Sequence, residues 1–395
     1  MRVAGLFAGI GGFELGLRRA GHETALLCDV LPTAKAVLNA RFPDAEYRND
    51  IMQLRSLPAS VDLVSAGFPC QDLSQAGRTA GLDGDRSGLI GEVFRLLSRR
   101  KVPTVVIENV PFMLQLNGGS AIRAITAEFE RRGYRWAYRV VDSWGFGLAQ
   151  RRERVYLVAS RAVDPAEVLL ADDVPMERPP SALGERPHGF YWTEGLGGLG
   201  WAVDAVPTLK NGSTIGIASP PAVLMPDGRV LKIGIRAGEQ LQGFEPDWTE
   251  PAQEVAPASA RWGLVGSAVS VPVAEWVGRR LVSPGIYGVE RDRPFAESGR
   301  APRAARFDGR KRYSVAISVD PLGIAPTPLS DAMRLDEPVL LSLKATAGFL
   351  GRTRRAKLRF APGFIAAVER HLLAVGGTLA GIPRPPQAEL DLMLA

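Results

Sequence analysis

Cysteine and histidine are scarce in this sequence, whose 395 residues include two cysteines, Cys28 and Cys70, and three histidines, His22, His188 and His371. Two cysteines exclude a disulfide framework. So few Cys and His ligands argue against a structural zinc site, and we expect no bound metal. Free thiols are typical of a reducing compartment, and we therefore expect a cytoplasmic protein.

Long apolar segments are also lacking. No uninterrupted apolar run reaches the roughly 18 residues that a membrane-spanning helix needs, so we expect no membrane partner. The N-terminal residues, MRVAGLFAGIGGF, have neither the basic stretch nor the cleavage site of a signal peptide. A composition of 46% hydrophobic and 23% charged residues excludes disorder. The net charge of +6 permits nucleic acid as a partner without arguing for it.

Strand and helix patterns alternate along the first 160 residues. Short apolar runs predict strands at 2–7, 24–28, 61–66, 102–107, 139–142 and 155–159. Helical spacing separates them, at 13–20, 33–41, 88–99 and 121–132. This alternation predicts an α/β fold with a mostly parallel sheet, in which ligands bind at the carboxyl ends of the strands.

The rest of the chain is less regular. Turn residues dominate 164–225, a helical pattern returns near 258–281, and proline, glycine and arginine are frequent in 284–312. We therefore expect a core at 1–160, an irregular insertion at 161–234 and a return to the core at 235–283. A basic linker with a small C-terminal domain is expected at 284–395.

A glycine-rich turn, FAGIGGF, follows the first predicted strand and opens a helix. Glycine lets the backbone approach a ligand closely, and a helix N-terminus offers free N–H groups. Asp29 ends the next strand, where a carboxylate can accept both ribose hydroxyls of a nucleoside. Asp50 and Ile51 could hold an adenine edge. A plain tight turn, a helix cap and a solvated acid are the alternatives.

Three further motifs lie next to strand ends. Cys70, in GFPCQ, could supply a thiolate nucleophile, whereas Cys28, inside an apolar strand, fits the usual role of a buried structural cysteine. Glu108, in ENV, follows a buried strand, where desolvation raises a carboxyl pKa toward an acid role, unless it only ends the strand. Arg152 and Arg154, in QRRER, suit an anion or form a solvated charge cluster.

Taken together and in order, FAGIGGF, GFPCQ, ENV, QRRER and a late GSAV resemble the C5-cytosine DNA methyltransferases, over roughly residues 1–160 and 235–281. The resemblance implies a Rossmann-like domain that binds S-adenosyl-L-methionine, a small target-recognition region, and double-stranded DNA as the partner. It implies Cys70 as the nucleophile, Glu108 on cytosine N3, and Arg152 and Arg154 at the catalytic site. The cofactor residues that it implies are Phe7, Gly9, Gly11, Gly12, Asp29, Asp50, Ile51, Leu89 and Val269.

The chemistry implied by the resemblance starts with attack of the Cys70 thiolate on C6 of a flipped cytosine. C5 then takes the methyl group, and loss of the C5 proton expels the cysteine. Residues 71–86 resemble a loop that closes over the base, with Gln71, Ser74 and Arg78 as substrate contacts. A monomer is expected, in a restriction-modification or related defence system whose other proteins would be its partners.

Three positions depart from the family pattern. Gly5 replaces an acidic residue that usually contacts the methionine amine, Val30 replaces an aromatic residue, and Ser267 replaces an asparagine that helps to hold the catalytic loop. A tRNA-methylating relative is a second interpretation, although the usual Cys-Phe-Thr signature is missing from the sequence. A weakly active DNA-binding relative is a third. The basic run at 344–359 either contacts phosphate or is a solvated surface.

Overall fold

The computed structural model describes residues 1–68, 88–213, 215, 217 and 219–380. Its strands, in chain order, are β1 (Arg2–Leu6), β2 (Glu23–Cys28), β3 (Glu46–Arg48), β4 (Leu63–Gly67), β5 (Thr104–Asn109), β6 (Arg135–Asp142), β7 (Gln150–Arg151), β8 (Glu153–Ser160), β9 (His188–Phe190), β10 (Ala202–Val203), β11 (Val206–Pro207), β12 (Ala222–Leu224), β13 (Val230–Lys232), β14 (Asp292–Pro294), β15 (Ala304–Phe307), β16 (Arg312–Val315) and β17 (Val339–Leu340). Its α-helices are α1 (Gly12–Arg19), α2 (Pro32–Arg41), α3 (Leu89–Arg99), α4 (Ser120–Arg131), α5 (Pro165–Leu169), α6 (Ile235–Gln240), α7 (Arg261–Ser267), α8 (Val271–Val282), α9 (Leu329–Met333), α10 (Leu343–Thr353) and α11 (Phe364–Ala374).

A large sheet runs in the order β3-β2-β1-β4-β5-β8-β6-β15-β16-β14 through the described residues. Strands β1 to β5 are parallel to one another, and β8 lies antiparallel between β5 and β6. The predicted α/β class is confirmed, and the predicted parallel arrangement holds for β1 to β5. Because parallel strands end at the same edge, the carboxyl ends of β1, β2, β4 and β5 meet there.

Helices cover both faces of this sheet. On one face, Phe13 and Leu17 of α1 pack against Val3 of β1 and Val106 of β5, together with α8. Helices α1 and α8 approach closely at Gly16, where an added Cβ would lie 2.6 Å from the Cβ of Ala274. Helices α3 and α4 pack on the opposite face. Both faces are thus buried, as continuous Val and Ile runs predict.

The segment expected to be a linker contributes strands instead. Strand β15 pairs with β6, and β16 and β14 continue the large sheet beyond it. Ala304 and Ala305 are buried in β15, and the ring of Phe307 stacks on Trp136 at 6.3 Å. The segment 284–312 therefore contributes edge strands of the large sheet, although its proline, glycine and arginine content is typical of a linker. Charged side chains are tolerated there because an edge strand is partly exposed.

The insertion and the C-terminal residues fold together. In the described residues the second sheet has the order β10-β9-β12-β13-β17, and all its pairs are antiparallel. Its last strand comes from the C-terminal part of the chain. Phe190 of β9 packs against Phe349 of α10 and Phe364 of α11, with ring centroids 5.1 and 5.0 Å apart. We call this unit, residues 188–232 with 339–374, the second lobe.

Two arginines of the basic run hold the second lobe together. Arg352 donates to the carbonyl oxygens of Trp192 and Glu194, and Arg354 forms an ion pair with Glu369. Both guanidinium groups therefore have partners inside the lobe, so the whole run is not a free phosphate-binding surface. Arg355, which is exposed, remains available. Across the described ranges, no helix is both long and apolar enough to cross a membrane.

Candidate active site

Small and polar side chains lie at the carboxyl ends of three neighbouring strands, on the face covered by α1 and α8. Gly5 of β1 is paired with Ser65 of β4, and Gly67 of β4 is paired with Glu108 of β5. These four residues lie two or four positions after the apolar residues of the same strands that pack on α1. Side chains alternate between the two faces along a strand, so all four lie on the face that α1 covers. The row on this face therefore changes from apolar to small and polar residues where these strands end.

Glu108 is the acidic residue of this group. It is 7% exposed, and its Oε1 lies 3.1 Å from Nε of Arg154. Burial raises the pKa of the Glu108 carboxyl, although Arg154 and Arg152 act in the opposite direction. A carboxyl group whose pKa is raised can keep a proton and donate it to a ligand nitrogen.

Asn109 connects Glu108 to the loop that leads to the predicted nucleophile. Its Nδ2 donates to the carbonyl oxygen of Phe68 at 2.9 Å, and its Oδ1 accepts from the N–H of Val110 at 2.8 Å. The amide group is buried, so both bonds are protected from water. Asn109 thereby fixes the backbone two residues before Cys70. Cys70, Gln71, Ser74 and Arg78 themselves lie outside the described residues.

Arg152 and Arg154 have different surroundings. The Arg152 guanidinium is 1% exposed and donates to the carbonyl oxygens of Leu209, Gly266 and Ala268 at 3.0, 3.3 and 2.7 Å. Burial lowers its pKa to about 9, so it is still charged at neutral pH. Arg152 thus joins the start of β8 to two distant segments, whereas Arg154 contacts the acid directly.

The glycine-rich turn lies over the ends of β1 and β2. Gly9 has φ +56° and its N–H donates to Oδ2 of Asp29 at 2.8 Å, while Oδ1 of Asp29 accepts from the N–H of Leu31 at 2.9 Å. A Cβ at Gly9 would meet no atom of the described residues within 4 Å. Backbone beside an open space and a carboxylate at the end of β2 together suit a ligand that carries hydroxyl groups.

Val269 closes the space between this turn and Glu108. A Cβ on Gly12 would lie 2.4 Å from the carbonyl oxygen of Val269, and a Cβ on Gly67 would lie 3.5 Å from its side chain and 3.6 Å from Oε2 of Glu108. Glycine at 12 is therefore required by close packing on the Val269 backbone. The predicted cofactor residues Phe7 and Leu89 are partly buried against the core beneath.

Asp50 and Ile51 lie at the ends of β2 and β3. Asp50 accepts from the N–H of Met52 at 2.9 Å and begins a short 3₁₀ turn, Ile51–Gln53, whose first side chain is buried. Burial raises the pKa of the Cys28 thiol, and the charges of Asp29 and Asp50 add to the increase, so both acids lie near the end of β2. Val30, the departure from an aromatic residue, is 62% exposed beside them.

The comparisons with known proteins agree with this geometry. The family model for C-5 cytosine-specific DNA methylase matches residues 1–183. The Type II methyltransferase M2.BsuMI of Bacillus subtilis (strain 168) is 45% identical over 386 residues, 94% of this chain and 98% of that protein. The chain belongs to the C-5 cytosine-specific DNA methylase family. The Type II methyltransferase M.NgoFVII of Neisseria gonorrhoeae is 34% identical over 163 residues, 40% of this chain and 44% of that protein.

One solved structure, that of the S. pombe Dnmt2 methyltransferase, aligns with this methylase at a TM-score of 0.54 and 17% identity. It covers 71% of this chain and 98% of that chain. At this identity it shows a shared fold alone. The predicted family and enzyme class are confirmed, while the roles of individual site residues remain predictions.

Two features of the methylase site were not predicted from its sequence. Glu14 of α1 is 1% exposed, and a Cβ at Gly5 would lie 2.2 Å from its Oε1, so the departure at Gly5 has a steric reason. Gln150 is fully buried and accepts from the N–H of Leu209 at 2.9 Å while donating to the carbonyl of Leu241 at 2.7 Å. Glu14 could have been noticed in the sequence, because it is an acidic residue on the apolar side of α1. In the described part of the chain, no cluster of three metal-ligating side chains occurs.

Proposed function

We propose that this methylase transfers a methyl group from S-adenosyl-L-methionine to C5 of a flipped cytosine in double-stranded DNA. The observation that carries the proposal is the buried Glu108–Arg154 pair, which lies beside Gly67 and Val269 and next to the glycine-rich turn. An acid with a raised pKa and the residues proposed to hold a nucleoside lie together at the carboxyl ends of parallel strands, which supports the proposal.

The residues present fit the cofactor. Asp29 has two carboxylate oxygens that each accept one backbone N–H, which leaves a lone pair on each for a ribose hydroxyl. Gly9 offers backbone with free space beside it, and Val269 with Gly12 forms the wall toward Glu108. Phe7, Gly11, Asp50, Ile51 and Leu89 would complete the pocket. When bound, the cofactor supplies an electrophilic methyl group on a sulfonium.

The chain's own groups would then handle the base. The Cys70 thiolate attacks C6 and forms a carbon–sulfur bond, which makes C5 nucleophilic. Glu108 donates a hydrogen bond or proton at N3, and this offsets the negative charge that the attack pushes onto the ring. Arg154 keeps Glu108 oriented through its Nε, and its positive charge limits how far burial raises the pKa of the acid.

Release of the product reverses the first step. After methyl transfer, a water molecule accepts the C5 proton, the electrons of the C5–H bond form the C5–C6 double bond, and the carbon–sulfur bond breaks. Glu108 takes back any proton it gave to N3, so the ring regains aromaticity and the Cys70 thiolate is freed. Gln71, Ser74 and Arg78 are proposed to contact the DNA around this base. Ring carbon C6 is hidden in a stacked duplex, so the target base must leave the stack.

The second lobe is proposed to recognise the DNA, and residues 1–160 with 235–283 to form the catalytic body. Arg152 and Gln150 support this division, because they bind the backbone of Leu209 and so hold this part of the lobe against the body. Because the relatives are named Type II methyltransferases, the enzyme is proposed to be the modification partner of a restriction enzyme, and it is proposed to act as a monomer.

The experiment has two steps. Bisulfite sequencing of DNA from cells that express the protein identifies the methylated site. The tRNA of the same cells is sequenced in the same way, because tRNA is the alternative substrate. A duplex of that site with 5-fluorocytosine at the target should then form a denaturation-stable adduct, because fluorine cannot leave as a proton. Cys70→Ser should form none, and Cys28→Ala, the matched control, should form it normally. Methylated tRNA with unmodified DNA, or an adduct with Cys70→Ser, would overturn the proposal.

A further inference from the structure

A buried carboxylate lies beneath the proposed cofactor site with half of its hydrogen-bonding capacity unused. Oε1 of Glu14 accepts from the hydroxyl of Ser65 at 2.8 Å. Oε2 is buried and has no hydrogen-bond partner among the described residues. Buried polar atoms are almost always satisfied, so an unsatisfied carboxylate oxygen in a ligand site indicates a group that is absent from the free protein.

Glu14 lies next to residues that are proposed to hold the cofactor. It is two residues beyond Gly12, which packs on the Val269 carbonyl, and its side chain lies against Gly5 at the end of β1. The charge of Asp29 contributes to the raised pKa of Glu14, so the two acids interact. Glu14 therefore lies on the inner side of the same loop whose Gly9 N–H binds Asp29.

The missing partner should be a cation that can donate hydrogen bonds. A neutral donor would leave the carboxylate's charge unbalanced in a buried site, which is costly. Of the two cationic groups of S-adenosyl-L-methionine, the sulfonium has no hydrogen to donate, whereas the α-ammonium has three. The ammonium alone can satisfy both the charge and the free acceptor.

We propose that Glu14 binds the α-ammonium of the cofactor's methionine portion through its free oxygen, with Ser65 holding the carboxylate in place. The inference rests on the proposed use of S-adenosyl-L-methionine. Glycine at position 5 is part of the same arrangement, because any Cβ there would overlap the Glu14 carboxylate at 2.2 Å.

The test compares two ligands that differ in the amino-acid portion. S-adenosyl-L-homocysteine has the α-ammonium, and 5′-methylthioadenosine lacks both the ammonium and the α-carboxylate. Calorimetry should show that Glu14→Gln weakens S-adenosyl-L-homocysteine binding about 10- to 100-fold, the range for one charge-assisted hydrogen bond. Its binding of 5′-methylthioadenosine should stay within about twofold of wild type, since the nucleoside contacts are unchanged.

Two controls keep the result interpretable. Glu128→Gln removes a buried carboxylate of α4 that pairs with Arg131 and Arg132, and it should change neither affinity. Circular dichroism checks that Glu14→Gln is folded. Should it fail to fold, Ser65→Ala serves instead, with a smaller loss, about 3- to 10-fold, again for S-adenosyl-L-homocysteine only.

The outcomes separate the two proposals. Equal weakening of both ligands would mean that Glu14 only supports the loop, and no weakening of either would mean that it has no part in binding; both overturn the inference and leave the cofactor proposal intact. Wild-type protein that binds neither ligand would overturn the proposed cofactor, and the inference with it.

Discussion

The buried Glu14 carboxyl should make the stability of the protein depend on pH in a defined direction. Burial raises its pKa from 4.5 to about 7, and Ser65 offsets only part of that effect. Between pH 4.5 and pH 7, a carboxyl group with this raised pKa is protonated more often in the folded protein than in the unfolded chain. Its favourable contribution is therefore complete below pH 4.5 and is lost as the pH rises through 7.

The size of the effect follows from the shift. Each pKa unit corresponds to about 1.4 kcal/mol, so full ionisation of Glu14 should lower the free energy of unfolding by roughly 3 kcal/mol. Glu14→Gln keeps the side-chain shape and an oxygen for the Ser65 hydroxyl but cannot ionise. The variant and the wild type should be about equally stable at pH 4.5, and the variant should be more stable by roughly 3 kcal/mol at pH 8.

Urea unfolding at several pH values between 4.5 and 8, without ligand, measures this difference. Asp29 and Glu108, whose pKa values burial also raises, titrate in both proteins and cancel in the subtraction. A stability difference for Glu14→Gln that does not change with pH would refute the reasoning.

Other predictions concern single sites. Glu108→Gln should lower kcat at least about 100-fold with unchanged S-adenosyl-L-homocysteine affinity, measured by methyl transfer and calorimetry; equal activity would exclude Glu108 as the acid. Gly266→Ala should destabilise the protein by about 1–3 kcal/mol in urea, because a Cβ would lie 2.1 Å from the Lys210 carbonyl carbon; unchanged stability would contradict that packing. Ser267→Asn should raise turnover, because an asparagine at this exposed position would help to hold the catalytic loop. Kinetics identical to wild type would show that other groups hold the loop. The pair Arg355→Ala with Lys357→Ala should reduce the salt dependence of DNA binding, by roughly 0.9 in log–log slope per contact, on all sequences alike; an unchanged slope would show that they touch no phosphate.

Local patterns in the sequence were enough for the parallel half of the large sheet. The runs that become β1, β2, β4 and β5 stand out in the sequence as short apolar stretches, so their positions follow from the residue pattern. Strand β3 was missed because it is short and largely exposed at the sheet edge. Strands β14 to β16 were missed because arginine and proline suggest a linker, whereas pairing with β6 decides their structure.

The site divides in the same way. Glu108 and Asp29 could be picked out because one lies near the end of a buried strand and the other directly follows one, and the order of motifs singles out Cys70. Arg152 could not be understood from its motif, since its three carbonyl partners come from residues 57 to 116 positions away. The requirement for Gly5 likewise depends on Glu14, a residue on another element.

The sequence by itself determined the family, the α/β class and the position of the main acid, because these depend on residue types at fixed short spacings. Only the tertiary structure decided that residues 188–232 and 339–374 form one lobe, that Arg352 and Arg354 are used inside it, and that Glu14 has a free buried oxygen. Burial and hydrogen-bond satisfaction are properties of groups brought together from distant parts of the chain, so no local pattern specifies them.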